Sequence, residues 1–281
     1  MTTKTCIRTA SAILLAGCLA GSAWAAAPAL PADIKARGTL TAGIVPNYPP
    51  LDLRNPASNA LTGFDVDLGT ALAARLGVRM DWQETSFEQM LPSVRTGRLD
   101  IVLSGMSDLP SRRSAASFID YLRSGVQFFT QASRAAEFSD MSALCGRTVG
   151  ASRRTSLPAE IKRWSDVYCV AAKRAPVTVV GTEGSADART QLRQGRVDAA
   201  MQGSETLPYI MKNEPGIYAR IGQPIRWTLI GIATAREADA LRAALAGALN
   251  AMIADGSYRA LLVKWQVDEN GVSSAQIDKG E

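Results

Sequence analysis

Short apolar segments alternate with amphipathic segments along most of the chain. The apolar segments predict strands at 39–45, 78–82, 99–103, 126–131, 148–151, 177–180, 197–202 and 227–233. The amphipathic segments predict helices at 64–76, 86–97, 237–254 and 258–265. This alternation is typical of an α/β fold with largely parallel strands.

Local signals support two of the predicted helices. In the helix at 64–76, leucines recur on one face, and Asp65 and Asp67 lie at its positive end. Ser86 and Gln89 have the spacing of a capping box, which predicts that the next helix begins at Ser86.

A nine-residue pattern occurs twice, at 97–105 and at 195–203. Each copy reads as a glycine that ends a helix, a strand, and a second glycine at the end of that strand. Chance similarity between two α/β segments is one explanation. Two lobes of similar design, each presenting a loop at the carboxyl end of a strand, is the other.

The order of elements predicts two lobes, mixed sheets with helices on both faces, and two hinge strands. We expect the first lobe to comprise residues 26–129 and 227–281, and the second lobe residues 130–226. Two covalent crossings would allow one lobe to swing against the other.

Residues 1–25 have the features of a secretory signal peptide. Lys4 and Arg8 precede an apolar run that ends at Ala23-Trp24-Ala25, a small-x-small cleavage site. Leu15-Ala16-Gly17-Cys18 resembles a lipobox, so a lipoprotein anchored through Cys18 is the alternative. We expect cleavage after Ala25 and a periplasmic location.

Composition narrows the chemistry that is available. The chain has 281 residues and no histidine, which excludes an imidazole base, a Ser-His-Asp triad and the commonest zinc ligand. Its 31 basic and 26 acidic residues give a net charge of +5 and form no dense basic run. We therefore expect no nucleic-acid partner, no metal and no cofactor.

Only two of the four cysteines, Cys145 and Cys169, lie outside the predicted leader. Export to an oxidising compartment makes a disulfide between them the expected state.

Several motifs, in this order, resemble the family 3 solute-binding proteins of bacterial ABC importers, which bind polar amino acids. They are Gly38-Thr39-Leu40, Asn47-Tyr48-Pro49-Pro50, Gly63-Phe64-Asp65-Val66-Asp67-Leu68, Leu99-Asp100-Ile101, Ser104-Gly105-Met106-Ser107, Arg112, Ala254-Asp255-Gly256-Ser257-Tyr258 and Lys264-Trp265. The resemblance covers 38–265 and implies the two-lobed periplasmic binding protein fold.

The resemblance implies ligand contacts in the first lobe. Arg112 would clamp the carboxylate of an amino acid, helped by Ser107, and a guanidinium suits this task because its donors match a carboxylate. Main-chain groups of Ser104 and Gly105 would face the ammonium. The rings of Tyr48 and Phe87 would sandwich the ligand, although either, and Phe87 above all if its helix packs inward, could instead be a core aromatic.

In the second lobe, the resemblance places Thr155 and Ser156 in a loop that closes on the carboxylate. Three positions depart from the family pattern. Leu109 replaces a threonine, Arg154 replaces a glycine, and Gly203 replaces the aspartate that pairs with the ammonium.

The replacement at Gly203 leaves two possibilities open. Glu205 could supply the missing carboxylate, or the ligand lacks an ordinary α-ammonium. Glu205 could also be a helix-start carboxylate with no ligand role. Arg154 would add a cation beside the clamp, which raises the hypothesis of a ligand with a second acidic group.

The resemblance implies a monomeric, non-enzymatic receptor that binds a small amino acid or related carboxylate and delivers it to an inner-membrane ABC permease. The alternative is a periplasmic lyase of the cyclohexadienyl dehydratase type on the same fold, with Glu205 or Glu183 as the acid.

Overall fold

The computed structural model describes residues 1–2 and 30–281. Residues 3–25 of the predicted signal peptide, with the lipobox cysteine Cys18, lie outside the described residues. Within them, no helix is both long and apolar enough to cross a bilayer.

Strands and helices alternate along residues 30–281. The helices are α1 Ala32–Arg37, α2 Phe64–Arg75, α3 Phe87–Arg95, α4 Leu157–Ser165, α5 Ser185–Arg193, α6 Leu207–Asn213, α7 Asp239–Ala254 and α8 Ser257–Trp265. The strands are β1 Thr39–Ile44, β2 Asn47–Tyr48, β3 Asp52–Arg54, β4 Leu61–Thr62, β5 Arg79–Glu84, β6 Ile101–Val102, β7 Ser117–Gln131, β8 Thr148–Ser152, β9 Thr178–Thr182, β10 Ala199–Gly203, β11 Tyr218–Thr234 and β12 Gly271–Ile277.

The main sheet is mixed and has the order β5-β1-β6-β11-β7-β10-β8-β9, with β12 paired to β7. β1 is parallel to β5 and β6, and β8 is parallel to β9 and β10. Between these parallel halves, the long strands β7 and β11 pair antiparallel to each other. They are the two hinge strands that the sequence predicts.

Each hinge strand contributes residues to two separate hydrophobic clusters, one in each lobe. Leu122 of β7 and Ile230 of β11 belong to a cluster with α2, α7 and α8, which is the core of the first lobe. Val126 of β7 and Ile221 of β11 belong to a different cluster with α4, which is the core of the second lobe. The fold is therefore two-lobed, although hydrogen bonding through β7 and β11 makes the sheet continuous.

Two local predictions are wrong. Ser86 is the residue before α3, but its side chain makes no capping hydrogen bond and lines a cavity instead, so no capping box forms. The strand predicted at 99–103 pairs only at Ile101–Val102, because Leu103 already leads into the loop at 104–109.

A disulfide stabilises the second lobe, and hydrogen bonds between two helices stabilise the first. Cys145 and Cys169 form the predicted disulfide, with their Cα atoms 5.4 Å apart, at the edge of the second-lobe core. In the first lobe, α8 packs beside α2, where Lys264 Nζ and Trp265 Nε1 donate to Asp67 Oδ2 at 2.6 and 2.7 Å.

Candidate functional site

A cavity of about 150 Å³ lies between the lobes, where loops from both sheets meet. All eleven residues predicted to contact a ligand line it: Tyr48, Phe87, Ser104, Gly105, Ser107, Arg112, Arg154, Thr155, Ser156, Gly203 and Glu205. The carboxyl ends of β6 and β10 supply the first-lobe loop and the second-lobe loop respectively. These two strands are the ones in the repeated nine-residue pattern.

The first-lobe loop presents a guanidinium to the cavity. Arg112 ends a three-residue 3-10 turn, its Nη1 donates to the Ser107 carbonyl at 2.8 Å, and its Cζ lies 5.4 Å from the centre of the Phe87 ring. Burial lowers the pKa of Arg112 to about 10, so the group remains charged at neutral pH.

Arg112 forms no ion pair with any residue that the structure describes. Among those described residues, the one carboxylate that acts on its charge, Asp108, is paired with Arg113, so burial of Arg112 remains costly and an anionic ligand would relieve that cost. The backbone N–H and the hydroxyl of Ser107, beside it, likewise donate to no group within 30–281. The three donors together suit a carboxylate.

Phe87 is both a cavity residue and a core residue. Its ring lies at the edge of the cluster that contains Met90 and Val94, and it also stacks with the Arg112 guanidinium. The core interpretation of Phe87 is therefore confirmed, and its contact with a ligand stays a prediction.

Two buried aspartates fix the loop at 104–105. The Ser104 hydroxyl donates to Asp52 Oδ2 and the Gly105 N–H donates to Asp65 Oδ2, each at 2.8 Å. The hydroxyl of Ser104 and the N–H of Gly105 are thus used, which leaves the carbonyl groups for a ligand. Gly105 has φ +59°, and a Cβ there would lie 3.0 Å from the Tyr48 ring, so this close approach favours glycine.

Glu205 is fully buried in the second-lobe wall of the cavity. Its Oε1 accepts from the Tyr48 hydroxyl at 2.8 Å, and its Oε2 accepts from the Ser124 hydroxyl at 2.7 Å. Burial raises its pKa to about 7, against the opposing effect of these hydrogen bonds. The hydroxyl of Tyr48 also accepts from the Gly203 N–H at 3.2 Å, so Tyr48 of the first lobe reaches the second.

The Glu205 carboxylate occupies the space that a side chain at position 203 would need. A Cβ built on Gly203 would overlap Glu205 Oε1 and lie 2.5 Å from its Cδ. A carboxylate is therefore present beside position 203 although the residue there is glycine. The glycine and the glutamate are mutually dependent, since any larger residue at 203 would displace Glu205.

Arg154 lines the cavity, but its charge is shared with acids. It forms an ion pair with Glu88 of the first lobe, and its Nη2 lies 3.7 Å from Glu183 Oε2. Arg154 is thus a cation beside the cavity, as expected, but Glu88 and Glu183 pair with it. A second acidic group on the ligand would compete with these carboxylates, and that hypothesis stays a prediction.

The predicted donors at 155–156 are only partly available. The Thr155 hydroxyl donates to the Ser152 carbonyl at 2.8 Å and accepts from the Leu157 N–H at 3.2 Å, so it stabilises the turn into α4. Its N–H also donates to the Ser152 carbonyl, at 3.2 Å. Ser156 precedes α4, and its N–H has no acceptor within the residues that the structure describes.

The sequence did not indicate three buried polar residues, of which Ser124 and Glu160 line the cavity and Asp52 supports the loop at 104–105 from behind. Ser124 belongs to a hinge strand and reads as an interruption of an apolar segment, and Asp52 stands between two leucines. Its burial, with Asp65 nearby, holds the pKa of Asp52 well above its usual range. Glu160 is also buried, where Arg226 Nη1 and Arg163 Nη1 donate to it at 2.6 and 2.7 Å. An acid within an apolar segment was the available signal for Asp52.

Comparison with known proteins identifies the class to which this fold and cavity belong. The family model of bacterial extracellular solute-binding proteins, family 3, matches residues 40–268, and the chain belongs to that family.

Individual relatives are similar to this chain over most of its length. An arginine-binding protein of Corynebacterium glutamicum is 31% identical over 250 residues, covering 89% of this chain and 81% of the relative. The histidine-binding periplasmic protein of Salmonella typhimurium is 27% identical, covering 87% and 91%. The solved structure of an ancestral arginine-binding protein bound to arginine has a TM-score of 0.72 and 26% identity, and the match covers 82% and 98% of the two chains.

Proposed function

We propose that this chain is the extracytoplasmic receptor of an ABC importer, and that it binds one α-amino acid between its lobes and delivers it unchanged to a membrane permease. In this proposal Arg112 and Ser107 hold the carboxylate, and Glu205 holds the ammonium, with carbonyls of the loop at 104–105 beside it. The protein acts in the periplasm as a monomer.

The overlap between position 203 and the Glu205 carboxylate carries the proposal. The family resemblance expects an aspartate at 203, and the glutamate brings its carboxylate to that same space from two residues further along the chain. An unpaired guanidinium on one side of the cavity and a buried carboxylate on the other match the two charges of a zwitterion.

The first ligands to test are basic amino acids, since relatives are named for arginine and histidine. L-Glutamate and prephenate complete the panel, because they represent an acidic ligand and the substrate of a lyase. Each compound is assayed by thermal unfolding and calorimetry on the mature chain, and then analysed for chemical change.

Moving the carboxylate between the two positions tests the proposal. Glu205→Ala alone should weaken amino-acid binding by about 100-fold, because an ammonium loses its buried counter-charge. The exchange variant Gly203→Asp with Glu205→Ala should recover most of that loss. Glu183→Gln, at an exposed and ion-paired cleft residue, is the control and should change the affinity by less than about threefold.

Two results would count against the proposal. Binding that is unchanged in Glu205→Ala would remove Glu205 from the ammonium site. Conversion of prephenate or any other panel compound would place the protein among the lyases. That alternative is not favoured, since a similar structure, at 25% identity and TM-score 0.70, is that of an ancestral amino acid-binding protein that is a precursor of cyclohexadienyl dehydratase.

A further inference from the structure

Residues 278–280 follow β12 and lie against the rear of the loop that carries Ser107 and Arg112. Asp278 anchors this segment on β7, where its Oδ1 accepts from the Phe118 N–H at 2.8 Å and its Oδ2 accepts from the Ser117 hydroxyl at 2.7 Å. The Lys279 N–H donates to Asp120 Oδ2 at 3.1 Å. The segment is thereby tied to a hinge strand.

From this anchor, Gly280 reaches a buried ion pair. Its N–H donates to Asp108 Oδ2 at 2.7 Å, and its carbonyl accepts from Arg113. Arg113 in turn forms a two-pronged pair with Asp108, with Nε to Oδ1 at 2.8 Å and Nη2 to Oδ2 at 2.9 Å. Asp108 has no exposed surface, so these donors replace the water that its charge would otherwise need.

Gly280 lies so close to Asp108 that position 280 has no room for a side chain. A Cβ at position 280 would overlap the Asp108 carbonyl oxygen and lie 2.8 Å from Asp108 Cβ. Replacement of Gly280 by alanine would therefore push the segment away from the loop without removing a charge.

In the loop at 107–113, some residues line the cavity and their neighbours contact residues 278–280. Ser107 and Arg112 line the cavity and are joined by the hydrogen bond from Arg112 Nη1 to the Ser107 carbonyl. Their neighbours Asp108 and Arg113 are joined to each other and to Gly280 on the other side. The Asp108 N–H also donates to the Leu229 carbonyl of β11 at 2.9 Å. The cavity side of the loop is thus held from behind.

We propose that residues 278–280 act as a strap that positions Arg112 for the ligand carboxylate, with Asp108, Arg113 and Gly280 as positioning residues. The inference rests on the proposed function, since it assumes that Arg112 binds the carboxylate. The family match ends at residue 268, so the strap lies outside the region that the family model covers.

The physical reason is the geometry that a guanidinium needs. Two parallel hydrogen bonds to a carboxylate form only when the fork of Arg112 is held in position, and small displacements sacrifice one of them. If the strap is displaced, the fully buried carboxylate of Asp108 loses the Gly280 N–H as a donor. The loop must then move so that water can reach Asp108.

The test compares the affinities of variants for the amino acid in the panel above that stabilises the protein most, beginning with L-arginine. Gly280→Ala should weaken binding by about tenfold, as expected for one lost charge-assisted hydrogen bond. Ser274→Ala, at an exposed position of β12, is the matched control and should leave the affinity within twofold of wild type. If Gly280→Ala does not fold, Asp278→Asn, which loosens the anchor on β7, takes its place.

A double-mutant cycle separates positioning from general destabilisation. Arg112→Lys keeps the charge but not the fork, and it should weaken binding by itself. In that background Gly280→Ala should add less than twofold. Independent, multiplying effects of the two substitutions would overturn the strap, because they would mean that Gly280 does not act through Arg112.

Hydrogen exchange of the unliganded protein gives a second readout that needs no ligand. Amides of residues 106–113 should exchange faster in Gly280→Ala and remain at wild-type rates in Ser274→Ala. Unchanged exchange and unchanged affinity in Gly280→Ala would refute the strap while the proposed function stands. Unchanged affinity in Arg112→Lys would instead refute the carboxylate clamp, and the strap with it.

Discussion

The carboxylate of Glu205 lies in an environment that favours its neutral form. It is fully buried, and the buried acids Asp52 and Asp65 lie nearby on the first-lobe side. Burial also raises the pKa of Asp65 to about 7. In the proposed site, an amino-acid ammonium would enter this acidic region as the compensating cation and pair with Glu205.

We predict that amino-acid affinity rises as the pH is raised through about 7. The folded-state pKa of Glu205 is about 7 against 4.5 in the unfolded chain. The stability that this group gives the unliganded protein is therefore present below about pH 4.5 and is lost as the pH rises through about 7. The ammonium prefers the ionised carboxylate, so binding must release a proton below that pH.

Calorimetry between pH 5.5 and 8.5 measures this effect. The affinity should fall by up to about tenfold for each pH unit below the pKa of Glu205. Glu205→Gln should bind weakly with a nearly flat profile, and a flat profile in the wild-type protein would contradict the ammonium assignment.

The elements illustrate what sequence patterns can and cannot predict. Periodicity located α2 and α7 closely, because each buries one apolar face along several turns. The small sheet of β2, β3 and β4 was missed, since strands of two or three residues are too short to show a period. The hinge strand β11 was predicted at half its length, because its second-lobe part alternates irregularly around Pro224.

The residues of the candidate site likewise divide into those that the sequence indicated and those whose contacts it did not. Family motifs led to the cavity residues of the first lobe, and the departure at Gly203 pointed to Glu205. The commitment of Thr155 to its own turn depends on the local backbone conformation at 152–157. The ion pair of Arg154 with Glu88 depends on side-chain geometry between distant segments. So does the strap, since nothing in the sequence around Gly280 indicates that it meets Asp108.

The disulfide joins two segments of the second lobe. We predict that its removal lowers the stability of the protein without abolishing ligand binding. Cys145 and Cys169 enclose a loop with a sequence separation of 24, for which the chain-entropy model gives about 3 kcal/mol. Cys145→Ser with Cys169→Ser should lower the midpoint of thermal unfolding by roughly 6 to 12 °C. An unchanged midpoint would show that the bridge does not constrain the unfolded chain.

On the scale of the whole molecule, two continuous strands and a few side chains join the lobes. β7 and β11 pass through both cores, and across the cavity Tyr48 contacts Glu205 while Arg154 pairs with Glu88. The surface pair is half exposed and contributes little by itself. The buried contact connects the proposed ammonium site directly to the first lobe, so we expect a ligand at Glu205 to act on lobe closure through Tyr48.

The central claim is that the cavity binds a complete zwitterion, with opposite charges held by Arg112 and Glu205. The most direct measurement compares the thermal shift given by L-arginine, or the best amino acid of the panel, with two analogues. One analogue lacks the carboxylate, and the other lacks the α-ammonium. At a thousand times its dissociation constant the amino acid should stabilise by about 4 kcal/mol, a shift of roughly 8 to 16 °C.

We predict that each analogue, at the same concentration, loses most of that shift, and that the amino acid is recovered unchanged. A full shift with the analogue that lacks the carboxylate would contradict the role of Arg112. A full shift with the analogue that lacks the ammonium would contradict the role of Glu205.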